Sequence, residues 1–155
     1  MIRVLDGLYL GNREDARDLR RLTEAGVTHV VNCAHELPNY HEGRFHYLAL
    51  QLRDPDPGMI DCFDHAWRFI DEGRAQKGAV LVHCVAAVSR SPAVVLSYLC
   101  HLGATLEEAA GRLGGVVWTD PDLLFLRQLM DRLGEEYNAE RLLRLSCTLV
   151  GRQAE

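Results

Sequence analysis

Nothing in this 155-residue chain approaches the run of roughly 20 apolar residues that a membrane-spanning helix requires. The opening Ile2-Arg3-Val4-Leu5-Asp6 is no signal peptide. Residue 2 is not glycine, and Arg152-Gln153-Ala154-Glu155 holds no prenylation cysteine. Neither membrane insertion nor lipid anchoring is predicted. Positive charge is not in excess either: 17 Lys and Arg against 22 Asp and Glu leave a net charge of −5, which argues against a nucleic-acid partner. The five cysteines at 33, 62, 84, 100 and 147 are odd in number and form no C-x-x-C pair. That usage speaks against a disulfide or zinc framework and for a reduced, cytoplasmic protein. His29, His35, His41, His46, His65 and His101 show no metal-ligand spacing, so no metal or other cofactor is expected. Repeats, low-complexity tracts and linkers are also missing. Length and an ordinary composition predict one domain over residues 1–155.

What is present is a mixed pattern of strands and helices. Residues 2–11 alternate about Gly7 as two short strands, and Val27 to Asn32 and Phe45 to Leu52 read as two more. Asn12 is placed to cap a helix that runs to Gly26, with Asp15 in its acidic first turn. Its Arg13, Arg17, Arg20 and Arg21 share the outer side with Glu14, Asp15 and Asp18, as a solvated face laced with ion pairs would. A polar 35–44 loop, a proline-rich 53–58 loop and a helix from about Ile60 to Gln76 follow. Thr105 and Glu108 form a capping box for the next helix. Two more are predicted, from about Asp120 or Pro121 to Gly134 and from about Asn138 to Leu149. Trp67 and Trp118 read as packing residues. Together these predict a three-layer α/β domain with a short, mostly parallel sheet.

The chemistry concentrates between Val80 and Pro92. An apolar strand ends at His83-Cys84, a loop of small residues follows, and a helix begins near Ser91 with Pro92 in its first turn. A strand, short loop and helix N-terminus form an anion cradle of free N–H groups. Such a field also favours the thiolate of a cysteine within it. Cys84 stands six residues before Arg90, with five residues between them. By composition an Arg at that spacing occurs roughly once in twenty and a preceding His about once in forty, so His83, Cys84 and Arg90 together are not readily accidental.

These residues resemble the H-C-x-x-G-x-x-R-[ST] motif of cysteine-dependent protein phosphatases, and most closely that of the small atypical dual-specificity phosphatases. The resemblance extends over almost the whole chain: Gly7-Leu8-Tyr9-Leu10-Gly11-Asn12, Tyr47 to Asp54, and Pro121-Asp122 with Phe125-Leu126-Arg127-Gln128-Leu129 match family segments. It implies that Cys84 is the nucleophile and that Arg90, with the N–H groups of Val85, Ala86, Ala87, Val88 and Ser89, binds the phosphoryl oxygens. Ser91 would stabilise the thiolate, His83 would brace the loop from behind, and Asp54 would be the general acid, with Asp56 in reserve. The implied substrate is a phosphorylated protein, and no metal is required.

Three positions depart from the family pattern. Ala87 replaces the motif's glycine, so a positive φ there would place a Cβ in a strained conformation. Asp122 replaces an asparagine, and a carboxylate beneath the thiolate would raise the cysteine pKa unless paired. Leu123-Leu124 replaces a polar pair. The sequence therefore predicts a phosphatase, with a catalytically weak phosphate-binding module as its rival. The Arg13–Arg21 stripe and the 35–44 loop are the expected recognition surfaces.

Overall fold

The computed structural model describes residues 1–151; the C-terminal residues 152–155, which hold no prenylation cysteine, lie outside the described residues. Asp6 and Gly7 turn β1 (Ile2–Leu5) back onto β2 (Leu8–Gly11), with Gly7 at φ 76°, which glycine adopts without a Cβ penalty. Three further strands follow, β3 (Val27–Ala34), β4 (His46–Leu52) and β5 (Ala79–His83). The sheet order is β1-β2-β5-β3-β4; only the β1–β2 pair is antiparallel. This is the mostly parallel α/β architecture that the sequence predicts.

Central β5 is buried along its whole length, as an unbroken Ala-Val-Leu-Val run should be in a parallel sheet covered on both faces. Its side chains alternate. Ala79 and Leu81 pack with Ala16, Leu22 and Val30 beneath α1 (Arg13–Arg17) and α2 (Leu19–Glu24). Val80, Val82 and Cys84 enter the larger core, which is closed by α3 (Phe63–Ala75), α4 (Arg90–His101), α5 (Leu106–Gly114), α6 (Leu123–Arg132) and α7 (Ala139–Leu149). Helix α4 is buried from Arg90 to Cys100, so each of Val94, Val95, Leu96 and Leu99 contributes roughly 1.5–3 kcal/mol of apolar burial. Among the described residues no helix is long and apolar enough to cross a membrane.

Several expectations need correction. The helix predicted from Asn12 to Gly26 is two. Asp18 leaves the helical conformation at ψ 84°, and its side chain accepts the Arg21 N–H as the cap of α2. A 3-10 turn, Met59–Cys62, precedes α3. Helix α6 begins only at Leu123, because Asp122 is its N-cap. Trp118 is 57% exposed rather than packed. The arginines of α1 and α2 do lie in ion pairs, such as Arg20 with Glu24 at 2.9 Å and Arg17 with Glu14 at 3.8 Å.

Candidate active site

Parallel strands β5, β3 and β4 end on the same edge of the sheet, so the loops that follow them converge there. The loop after β5 carries Cys84 to Ser89 into α4. Its Val85 carbonyl accepts the Arg13 N–H at 3.0 Å, and its Val88 carbonyl accepts the Asp120 N–H at 2.9 Å. In a trans peptide the following N–H points the opposite way, so those of Ala86 and Ser89 point away from Arg13 and Asp120. Ala87 sits at φ 59°. This position does need the left-handed conformation, and alanine adopts it at a cost of about 1–2 kcal/mol relative to an unstrained residue. Val85, Ala86, Ala87, Val88 and Ser89 therefore form a closed turn rather than an extended segment.

Cys84 lies at the base of this turn, 2% exposed, with its Sγ 3.0 Å from Ser91 Oγ. His83 is buried behind it, with Nδ1 3.3 Å from the Cys84 carbonyl and no partner for Nε2 among the described residues. Burial lowers the His83 pKa to about 4, a loss that the backbone hydrogen bond offsets only in part, so the imidazole is neutral at pH 7. The Cys33, Cys62 and Cys100 thiols are pushed up by burial, as expected for structural cysteines.

The two aspartates of the 53–58 loop are placed differently. Asp54 Oδ1 accepts the Ser89 hydroxyl at 2.9 Å, so its carboxylate rests on the cysteine loop. Asp56 instead accepts the backbone N–H groups of Arg53 at 3.0 Å and Gly58 at 2.8 Å, which hold its carboxyl below the usual range. Gln128 fastens this loop from α6: its amide donates to the Asp56 carbonyl and its Oε1 accepts the Ile60 N–H, both at 2.8 Å. Asp56 builds the loop; Asp54 faces the cysteine turn.

Asp122 is not a carboxylate beneath the thiol. Its Oδ1 accepts the Leu124 N–H at 2.8 Å as a helix cap, while its own N–H donates to Ser89 Oγ at 2.9 Å. It supports the loop through its backbone. A shallow cavity of about 330 Å³ opens beside the turn, lined by Asp54, Val88, Ser89, Asp120, Pro121, Asp122 and Leu123.

Arg90, 6% exposed, has a partner that sequence reasoning missed. Its Nη1 donates to Glu36 Oε1 at 2.5 Å and to the Leu52 carbonyl at 2.9 Å, and its Nη2 donates to Glu36 Oε2 at 3.3 Å. The Arg90 hydrogen bond lowers the Glu36 pKa. Burial works against the Arg90 charge, but the hydrogen bond to Glu36 and the negative charges of Glu36, Cys84 and Asp54 together outweigh it, and the Arg90 pKa is raised. One signal was available: Glu36 follows β3 at the same sheet edge as Cys84, within the loop read only as a recognition surface.

Comparison with known proteins agrees with this geometry. Residues 8–131 match the family model described as dual specificity phosphatase, catalytic domain. Human dual specificity protein phosphatase 9 is 34% identical over 150 residues, 90% of this chain and 39% of that protein. Bovine dual specificity protein phosphatase 26 is 38% identical over 135 residues, 82% of this chain and 64% of that protein. The chain thus spans less than two thirds of these relatives. Among solved structures, human DUSP28 superposes with a TM-score of 0.80 at 27% identity, covering 85% of this chain and 94% of that one. Human tyrosine phosphatase-like serine/threonine/tyrosine-interacting protein does so with 0.80 at 29% identity, covering 86% and 95%. A strand-loop-helix thiol site, an acid-bearing loop docked on it and a family match over residues 8–131 lead to one assignment: the chain belongs to the dual specificity phosphatase family.

Proposed function

We propose that this chain is one catalytic domain that hydrolyses phosphomonoesters on phosphorylated proteins, at phosphotyrosine and at phosphoserine or phosphothreonine, through a phosphocysteine and without a metal. The observation that carries this reading is the convergence on one turn of the Cys84 thiol, the Arg90 guanidinium and the Asp54 carboxylate, with Ser89 and Ser91 as hydrogen-bonded links. The Cys84 thiolate attacks phosphorus, the bond to the substrate oxygen breaks, and protonated Asp54 gives that oxygen its proton. Arg90 and the loop N–H groups hold the phosphoryl oxygens throughout. Water then attacks phosphorus, the Asp54 carboxylate takes its proton, and the S–P bond breaks. The departing thiolate is stabilised by the Ser91 hydroxyl, and inorganic phosphate leaves. The cavity beside the turn is shallow, which suits side chains of different reach, and the loop residues Val85, Ala86 and Val88 offer no lysine to a polyanionic headgroup. Five free cysteines fit a cytoplasmic setting.

A second reading, a phosphate-binding module with little turnover, draws on the strained Ala87 and on a structural neighbour whose name describes a phosphatase-like interacting protein. Hydrolysis of p-nitrophenyl phosphate and of phosphotyrosyl and phosphoseryl peptides separates the two. Wild type should turn over all three in the presence of a chelator, and Cys84→Ser should bind phosphate without turnover. Phosphate binding by an inactive wild type would establish the second reading instead.

A further inference from the structure

We propose that Glu36 is a positioning residue for the phosphoryl-binding arginine: its carboxylate sets the plane in which Arg90 presents its two remaining donors to a phosphate. This rests on the phosphatase reading above. A guanidinium has five N–H donors. Three are engaged, two on Nη1 by Glu36 and Leu52 and one on Nη2 by Glu36. The two without a partner among the described residues, on Nε and Nη2, lie on the same edge of the group, at the spacing that grips two oxygens of a phosphate in parallel. Glu36 and the Leu52 carbonyl thus saturate the end of the guanidinium and leave its side free.

The segment bearing Glu36 is built to hold this position. Asn32, 1% exposed at the end of β3, donates to the carbonyls of Leu37 at 2.9 Å and Pro38 at 3.3 Å and to Asn39 Oδ1 at 3.2 Å. Its own Oδ1 accepts the Ala34 N–H at 3.1 Å. The Leu52 carbonyl that meets Arg90 also accepts the His35 N–H at 3.0 Å. Strands β3 and β4 therefore fix both partners of Arg90 in one frame. A bulge helps: register slips between Asn32–Ala49 and Ala34–Leu52, with Gln51 at φ 59°. A buried arginine without an anion needs a countercharge. Glu36 supplies it before substrate arrives, without occupying the edge that substrate takes.

The test measures p-nitrophenyl phosphate hydrolysis for wild type, Glu36→Gln and Glu36→Ala, each with Arg90 and with Arg90→Lys. Tungstate affinity is measured by calorimetry in parallel on the same proteins carrying Cys84→Ser. Glu36→Ala should lower kcat/KM by about 10- to 100-fold, as misplacing a gripping group does, with kcat falling more than KM rises. Tungstate affinity should fall about tenfold, within the coupling range of contacting pairs. Glu36→Gln keeps one acceptor and should recover most of both. In the Arg90→Lys background, where no fork remains to be oriented, Glu36→Ala should cost less than about threefold. Unchanged or tighter tungstate binding in Glu36→Ala would overturn the proposal, and so would an equal loss in both backgrounds, which would make Glu36 a loop-folding residue. No turnover by wild type, with tungstate still bound by its Cys84→Ser counterpart, would refute the phosphatase reading alone, and the tungstate series would still decide on Glu36. Failure to bind tungstate would refute both.

Discussion

Replacing Asp54 or Asp56 by alanine should produce opposite signatures. Asp56 accepts two backbone N–H groups, so its removal resembles loss of a capping side chain, worth about 0.5–2 kcal/mol. The loop is partly exposed and water can replace one acceptor, which places the loss near 1 kcal/mol, or a Tm decrease of roughly 2–4 °C in a chain of this size. Asp54 is exposed and, among the described residues, accepts only the Ser89 hydroxyl, so Asp54→Ala should alter stability by no more than about 0.5 kcal/mol. Kinetics reverse the order. A general acid contributes about 10²–10⁴ in rate, and more when the leaving oxygen is basic. Asp54→Ala should therefore lose most activity on phosphoserine peptide and far less on p-nitrophenyl phosphate, whose phenol leaves without a proton. Asp56→Ala should lose a similar, small factor on both. The Asp56 carboxyl is lower in the folded than in the unfolded state. Its stabilisation is complete above the unfolded value of about 3.9 and is lost as pH falls through the folded value. The Tm gap between wild type and Asp56→Ala should thus narrow below about pH 4. Scanning calorimetry and kcat/KM on the two substrates read both effects. A leaving-group-dependent loss in Asp56→Ala at unchanged Tm, with Asp54→Ala active, would refute the reasoning.

Ala87→Gly relieves a left-handed alanine worth about 1–2 kcal/mol, but frees the unfolded chain by about 0.4–1 kcal/mol and strips a partly buried methyl. Because the turn already exists with alanine, Tm should move by less than about 4 °C, and kcat/KM should change by less than about threefold, under 1 kcal/mol. A tenfold gain would show that Ala87 impairs the cradle. His83 keeps a pKa of about 4 when folded, below the ordinary 6.5. Between those values only the unfolded state takes up its proton, so wild-type stability should fall by about 1.4 kcal/mol per pH unit more steeply than that of His83→Gln. Urea unfolding at pH 7, 6 and 5 checks this, and parallel profiles would contradict it.

Local order in the chain was sufficient for much of this protein. The apolar run of β5, the capping boxes at Asn12 and Thr105, and the alternation about Gly7 are each encoded within a few residues. So is the spacing of His83, Cys84, Arg90 and Ser91, because one strand, one turn and the start of one helix hold them all. Competition between local signals was harder to read: Asp18 could continue a helix or cap a new one, and it caps. A linear reading ranks Asp54 ahead of Asp56, but the contact that joins Asp54 to the cysteine turn is with the Ser89 hydroxyl, 35 residues away. Glu36 lies 54 residues from Arg90 and carries no motif of its own. What joins them is the parallel register of β3, β4 and β5, which brings separate loops to one edge of the sheet. Short-range order in the chain is enough for the His83, Cys84, Arg90 and Ser91 motif, because one strand, one turn and one helix start hold it. Strand pairing, a set of distances between remote segments, decided which other residues meet it.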